Sequence, residues 1–174
     1  MIIIGYSDNN LYSLLQVEYC QLAYLPDLDQ KNSFVRSALK EWVQETVQTY
    51  DFDGIRVDTV PEVPKEFWQE YTQAAGVYSI GEVFHSDRSY IARYQGALSG
   101  LLNYPMYYRL QNVFIRRNSM REIDAGINDN RNAFKDTSLL GNFLDNHDNK
   151  RFLAGTCDIS ILKNGLAYIM FAEV

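Results

Sequence analysis

The chain has 174 residues, 47% hydrophobic and 22% charged, enough for one domain with a sizeable core and without a compositional case for disorder. A net charge of −6 and a pI near 4.9 argue against nucleic acid and anionic membranes as partners, because both select clustered lysine and arginine, and are compatible with a neutral substrate. No apolar run approaches the length that crosses a bilayer, and the opening "MIIIGYSDNN" lacks the basic flank of a signal peptide.

Residues 1–30 read as irregular, with polar "SDNN" and then "LPDLDQ". From Asn32 to Tyr50 apolar residues recur at helical spacing (Phe34, Val35, Leu39, Trp42, Val43, Val47), with Asn32 or Ser33 as the N-cap. "DGIRVDTV" follows as a strand, "PKEFWQEYTQAAG" as a helix stopped by Gly76, and "VYSIGEV" as a second strand. "DRSYIARYQ" reads as a shorter helix and "SGLLNYP" as a third strand ended by Pro105. "MYYRLQNVFIRR" and "SMREIDAGINDN" are helical, "TSLLGNFLDN" is a fourth strand, and "DISILKNGLAYIMFAEV" is a helix with Asp158 as its N-cap. Strict alternation of helix and strand predicts an α/β fold with a parallel sheet.

The polar chemistry falls at the C-terminal ends of these strands, the edge where parallel α/β proteins bind ligands. Arg56 and Asp58 end the first, Glu82 the second, and Asn146, His147 and Asp148 the fourth. In "GIRVD", Ile55 and Val57 share one face and Arg56 and Asp58 the other, so the ionic pair points away from the helices. A cation beside an aspartate keeps it ionised, and an ionised, positioned carboxylate can act as a nucleophile. Glu82, after the small Gly81, is the natural general acid, and two carboxylates flanking one bond are the equipment of glycoside hydrolysis. On the residues alone, a buried Arg56–Asp58 ion pair with Glu82 as a rim charge remains an equal reading. The 13 Tyr, 9 Phe and 2 Trp could fill a core or line a sugar site. Cys20 and Cys157 are far apart with no CxxC pattern, which speaks against a cysteine metal site.

Four stretches in order, "LPDLD" (25–29), "DGIRVDTV" (53–60), "GEV" (81–83) and "FLDNHD" (143–148), resemble the α-amylase family of retaining α-glucan hydrolases and transglycosylases. "AAGVYSIGEV", "LLNYPMYYRLQNVF" and "SLLGNFLDNHDNKRF" read like its fungal-type members. The resemblance implies that Asp58 is the nucleophile, Glu82 the acid/base and Asp148 the third carboxylate that stabilises the transition state. It implies that Arg56 holds the nucleophile charged and that His147 bonds sugar hydroxyls. It also implies a structural calcium, with Glu18, Asp27 and the backbone carbonyl of Glu62 among its ligands; hard oxygen donors suit that ion.

The fold so implied is a partial (β/α)8 barrel, about strands four to seven, over residues 31–174, with residues 1–30 as the end of the calcium-binding excursion. A complete barrel takes about 250 residues, so the chain reads as a fragment whose open sheet edges invite self-association. Cys20 matches a disulfide-bonded cysteine of fungal-type enzymes, with its partner upstream, which would make the source protein secreted if an upstream signal exists. "DTVPEV" lacks the basic residue that usually follows the nucleophile in the family, and His85 could replace a sugar contact or sit in a solvated loop. The expected activity, as part of a longer catalytic domain, is retaining endo-hydrolysis of α-1,4-glucosidic bonds in starch-type glucans; a non-catalytic glucan-binding fragment, an α-glucosidase and a glucan transferase are the alternatives.

Overall fold

The computed structural model describes residues 3–4, 17–18, 21–22 and 26–172. Two compact units emerge, one of residues up to Val83 together with Gly96–Ser99, the other of Phe84–Gln95 and Gly100 onward. Cys20 and most of the expected 1–30 segment lie outside the described residues.

In the first unit, β1 (Ile3–Ile4) and β2 (Gln21–Leu22) form a short parallel pair. Helix α1 (Ser33–Tyr50) starts where expected, because the Asn32 side chain accepts the Phe34 amide at 3.0 Å. It ends at Asp51 in the left-handed conformation, with φ 52°. Strand β3 (Gly54–Val57) follows, then helix α2 (Lys65–Ala75) and strand β4 (Tyr78–Gly81). Gly76, at φ 67°, closes α2 as expected, a conformation that costs glycine nothing. β3 and β4 run parallel, with Gly54 opposite Tyr78 and Val57 opposite Gly81.

Val43 and Val47, one turn apart on α1, pack with Ala75 of α2 and with Ile55 of β3. Phe34 and Trp42, expected on the same apolar stripe, are instead 79% and 57% exposed. Trp42 directly precedes Val43 and so points about 100° away from the Val43–Val47 line. Across the helix pair, Arg36 binds both oxygens of Glu70, at 3.0 and 2.6 Å, and Lys40 adds a third contact at 2.9 Å.

The second unit is built around β5 (Gly100–Leu102) and β6 (Leu140–Gly141), again parallel, with Leu101 opposite Leu140. Before it comes α3 (Arg88–Ala92), capped by Asp87. After β5 comes α4 (Tyr104–Leu110), so Pro105 does not end the strand. It sits in the first helical turn, where a missing N–H costs no bond, and Asn103 caps the helix. α4 widens into a π-turn over Gln111–Ile115, and α5 (Arg121–Ala133) follows. The expected fourth strand is mostly something else: Thr137–Leu139 forms a 3-10 turn, leaving two residues for β6. A short helix α6 (Phe152–Gly155), not foreseen, precedes α7 (Ile159–Phe171), which Asp158 caps through Ser160 N at 2.8 Å. The core of this unit is Met106, Leu110, Val113, Ile123, Leu144, Phe152 and Ile161.

The three contacts from Arg36 and Lys40 pull the Glu70 carboxyl from its ordinary 4.5 down to about 2. A depressed carboxyl contributes stability above its unfolded value and loses it as pH falls through the folded one. The expected outcome is a falling melting temperature between pH 4.5 and 2, with a shallower fall in Glu70→Gln.

Candidate active site

The end of β3 and the end of β4 are tied beyond the last paired residues. The Glu82 amide donates to Val57 O at 2.8 Å, and the Val60 amide donates to Glu82 O at 3.0 Å. Asp58 and Thr59 form the excursion between these bonds. Thr59 takes it up in the left-handed region, φ 47°, an uncommon conformation for a β-branched residue. Such strain persists only where the surroundings over-determine it and tends to gather at functional sites. Val60–Glu62 then forms a 3-10 turn, pinned by the Trp68 indole N–H, which donates to Val60 O at 2.9 Å.

On this frame Arg56 spans two carboxylates. Its Nη1 lies 2.8 Å from Asp58 Oδ1 and its Nη2 3.0 Å from Glu82 Oε1. Both contacts use one planar fork, which fixes the two carboxylates relative to each other. Their surroundings differ: the Asp58 side chain is 58% exposed and that of Glu82 only 6%. The alternative reading of the sequence is thereby inverted, since the Arg56–Asp58 pair is half open and Glu82 is the buried group. The small size of Gly81 makes room for neighbouring side chains of the protein. A Cβ there would lie 2.9 Å from Val60 Cγ2 and 3.0 Å from Leu98 Cδ1. An open groove of about 450 Å³ runs beside the pair, lined by Trp42, Phe52, Arg56, Asp58, Trp68 and Tyr71 among others.

The expected calcium ligands are brought together in part. Burial pushes the Glu62 carboxyl up to about 7, and the nearby Asp27 charge adds to it. Asp27 is itself raised, mainly by burial. A like charge raises a carboxyl: Asp27 does so for Glu62, whereas the like charge acting on Asp27 is Asp29. Here it is the Glu62 side chain that approaches Asp27. Glu18 is raised by burial and then by Glu66, with Lys65 opposing, so its electrostatic neighbours lie on α2. Among the described residues no three His, Cys, Asp or Glu side chains are gathered to hold a metal ion.

The second unit holds the other two expected residues. His147 Nε2 stands 3.2 Å from Asp148 Oδ2, with the His147 side chain 65% exposed. The turn that carries them is fixed by Asn146, whose Oδ1 accepts the amides of Asp148 (3.1 Å) and Asn149 (3.0 Å). Asp145, which the sequence did not single out, accepts the Phe152 amide at 2.7 Å and pairs with Arg151, the N-cap of α6. His85 is an exposed loop residue; its Nδ1 accepts the Asp87 amide at 2.9 Å and its ring lies on Tyr90.

Residues 12–171 match the model of the α-amylase catalytic domain. The chain belongs to the α-amylase family. α-Amylase 1 of Lipomyces kononenkoae is 39% identical over 150 residues, which cover 86% of this chain and 24% of that protein. Among solved structures, the α-amylase of Malbranchea cinnamomea superposes with a TM-score of 0.82 at 36% identity, covering 90% of this chain and 34% of that one. The α-amylase of Geobacillus thermoleovorans, solved with acarbose, gives 0.84 at 32% identity and covers 95% and 40%. These neighbours are (β/α)8 barrels, so the α/β, partial-barrel fold and the fungal-type likeness expected from the motifs both hold. The chain spans well under half the length of each of these three relatives.

Gly81→Ala is expected to cost about 1–3 kcal/mol, the usual price of forcing extra volume into packed surroundings. Chemical denaturation measures this; an unchanged midpoint would show that Val60 and Leu98 yield freely.

Proposed function

We propose that this chain carries the catalytic groups for retaining endo-hydrolysis of α-1,4-glucosidic bonds in starch-type glucans. The observation that carries the proposal is the single arginine fork holding an exposed aspartate and a buried glutamate side by side. Asp58, kept charged by Arg56, attacks the anomeric carbon as Glu82 gives its proton to the glycosidic oxygen. The bond between the anomeric carbon and that oxygen breaks, the leaving chain departs as a free hydroxyl, and the sugar is then bound to Asp58 through an ester. Glu82, now ionised, takes a proton from water, the water oxygen displaces Asp58, and the α configuration returns. Retaining enzymes set their two carboxyls about 5–5.5 Å apart, a span that suits two groups on one guanidinium. Asp148 supports the positive charge that builds on the sugar ring, and His147 bonds its hydroxyls. The relative solved with acarbose and the α-amylase names of the curated relatives support an α-glucan as substrate.

Calcium is proposed as a structural ion held by Asp27 and Glu62. When bound it neutralises two crowded carboxyls and ties the segment at residue 27 to the 3-10 turn that follows Asp58. Calcium is expected to raise the melting temperature relative to a chelator, and Asp27→Asn to remove most of that difference. An equal response in Asp27→Asn would place any calcium elsewhere.

The purified chain, with calcium, is expected to release reducing ends from soluble starch, and Asp58→Asn to lower the rate at least about a hundred-fold. A folded sample without activity, or an equally active Asp58→Asn, would overturn the proposal. Light scattering on the same sample reads self-association, which the proposal includes: among the described residues β3 is paired on one side only, beside the exposed Trp42.

A further inference from the structure

Two consecutive residues after β5 are fully buried and polar, and both reach the segment that follows β6. Asn103 Nδ2 donates to Asn142 Oδ1 at 2.9 Å, while its Oδ1 accepts the Met106 amide and Asn130 Nδ2, each at 3.2 Å. Tyr104 is the next residue. Its ring is set edge-on against Phe84 and Phe143, both 5.0 Å away, and against Tyr107 at 6.0 Å. Its hydroxyl accepts Asn146 Nδ2 at 2.8 Å.

Asn146 is the residue whose other end shapes the turn carrying His147 and Asp148. Its Oδ1 takes the amides of Asp148 and Asn149 and the Asn149 side-chain Nδ2, the last at 2.8 Å. These are three donors, so the amide group has one orientation: a flip would set N–H against N–H. With the oxygen committed to the turn, the nitrogen must find an acceptor, and Tyr104 supplies it from a ring that cannot swing away. We propose that Tyr104, acting through Asn146, is a positioning residue that holds the His147–Asp148 turn in its working shape. The inference rests on the reading of Asp148 as the third carboxylate, since that reading is what makes the shape of this turn matter for the reaction.

Neither Tyr104 nor Asn146 touches the reacting atoms in this scheme. The fork at Arg56 is built by other residues. Tyr104 therefore acts on one side of the chemistry only, through the geometry of a turn that is otherwise open to water. An exposed turn closed by one side chain opens often, and anchoring that side chain to the core lowers the open fraction.

Hydrogen exchange read amide by amide tests this without reference to catalysis. Tyr104→Phe keeps the ring and removes the acceptor. The Asp148 and Asn149 amides are expected to exchange about ten-fold faster or more, while the Met106 amide, held by Asn103, keeps its wild-type rate. Tyr107→Phe, which loses a hydroxyl from the same aromatic group, is expected to change none of the three. Unchanged exchange at Asp148 and Asn149 in Tyr104→Phe overturns the proposal. So does equal acceleration at Met106, which would make the hydroxyl a general packing element. If Tyr104→Phe does not fold, Asn146→Ser decides. Serine keeps an acceptor for the turn but is too short to reach Tyr104, so the turn amides should lose protection; retained protection overturns the proposal. A negative starch assay would remove the catalytic meaning of Asp148 and leave the exchange result standing, so the two failures are distinguishable.

Discussion

The contact on which the site depends is the guanidinium of Arg56 shared between Asp58 and Glu82. One planar cation sets both carboxyl groups in place, Asp58 half open to water and Glu82 almost entirely out of it. The rest of the first unit serves to fix that cation. Arg56 is paired in register with Ile80, and Ile55, its neighbour on the opposite face, is clamped by Val43, Val47 and Ala75. The two backbone bonds between Val57, Val60 and Glu82 then carry the register past the end of the strands. Thr59 bears the conformational cost, in the residue directly after the proposed nucleophile.

The second unit solves a related problem by different means. Its turn at His147–Asp148 lies at the surface, where hydrogen bonds are readily exchanged with water. Stability there comes from linking the turn to buried groups. Asn146 connects to Tyr104, and Asp145 connects to the start of α6. Both links leave the charged side chains open to a ligand while holding the backbone that carries them.

Much of this was legible in the sequence, for identifiable reasons. Helix caps depend on one side chain and its local backbone, so Asn32, Gly76 and Asp158 mark boundaries reliably. The alternation in "GIRVD" placed Arg56 and Asp58 on one face correctly, because a strand has a period of two. What could not be read depends on tertiary neighbours. Trp42 has the apolar character of a core residue but lies one position off the buried line. Pro105 opens a helix where the local pattern points to a strand end, since proline serves both roles and only the preceding Asn103 cap distinguishes them. The space at Gly81 belongs to Val60 and Leu98, each on another segment of the chain, and no local pattern announces that. Tyr104 carried a weak signal: it sits in a stretch shared with fungal-type relatives, but nothing in the sequence links it to Asn146, 42 residues on.

The central claim is that Asp58, held by Arg56, forms the covalent bond to the sugar. The most direct measurement is mass spectrometry of the chain after incubation with an activated fluoro-glucoside that slows release of the sugar from the enzyme. The account predicts one added glycosyl group on the peptide containing Asp58, absent from Asp58→Asn and strongly reduced in Arg56→Leu. A sugar attached to any other carboxylate, or a folded chain that turns over the reagent with no ester at Asp58, would contradict it.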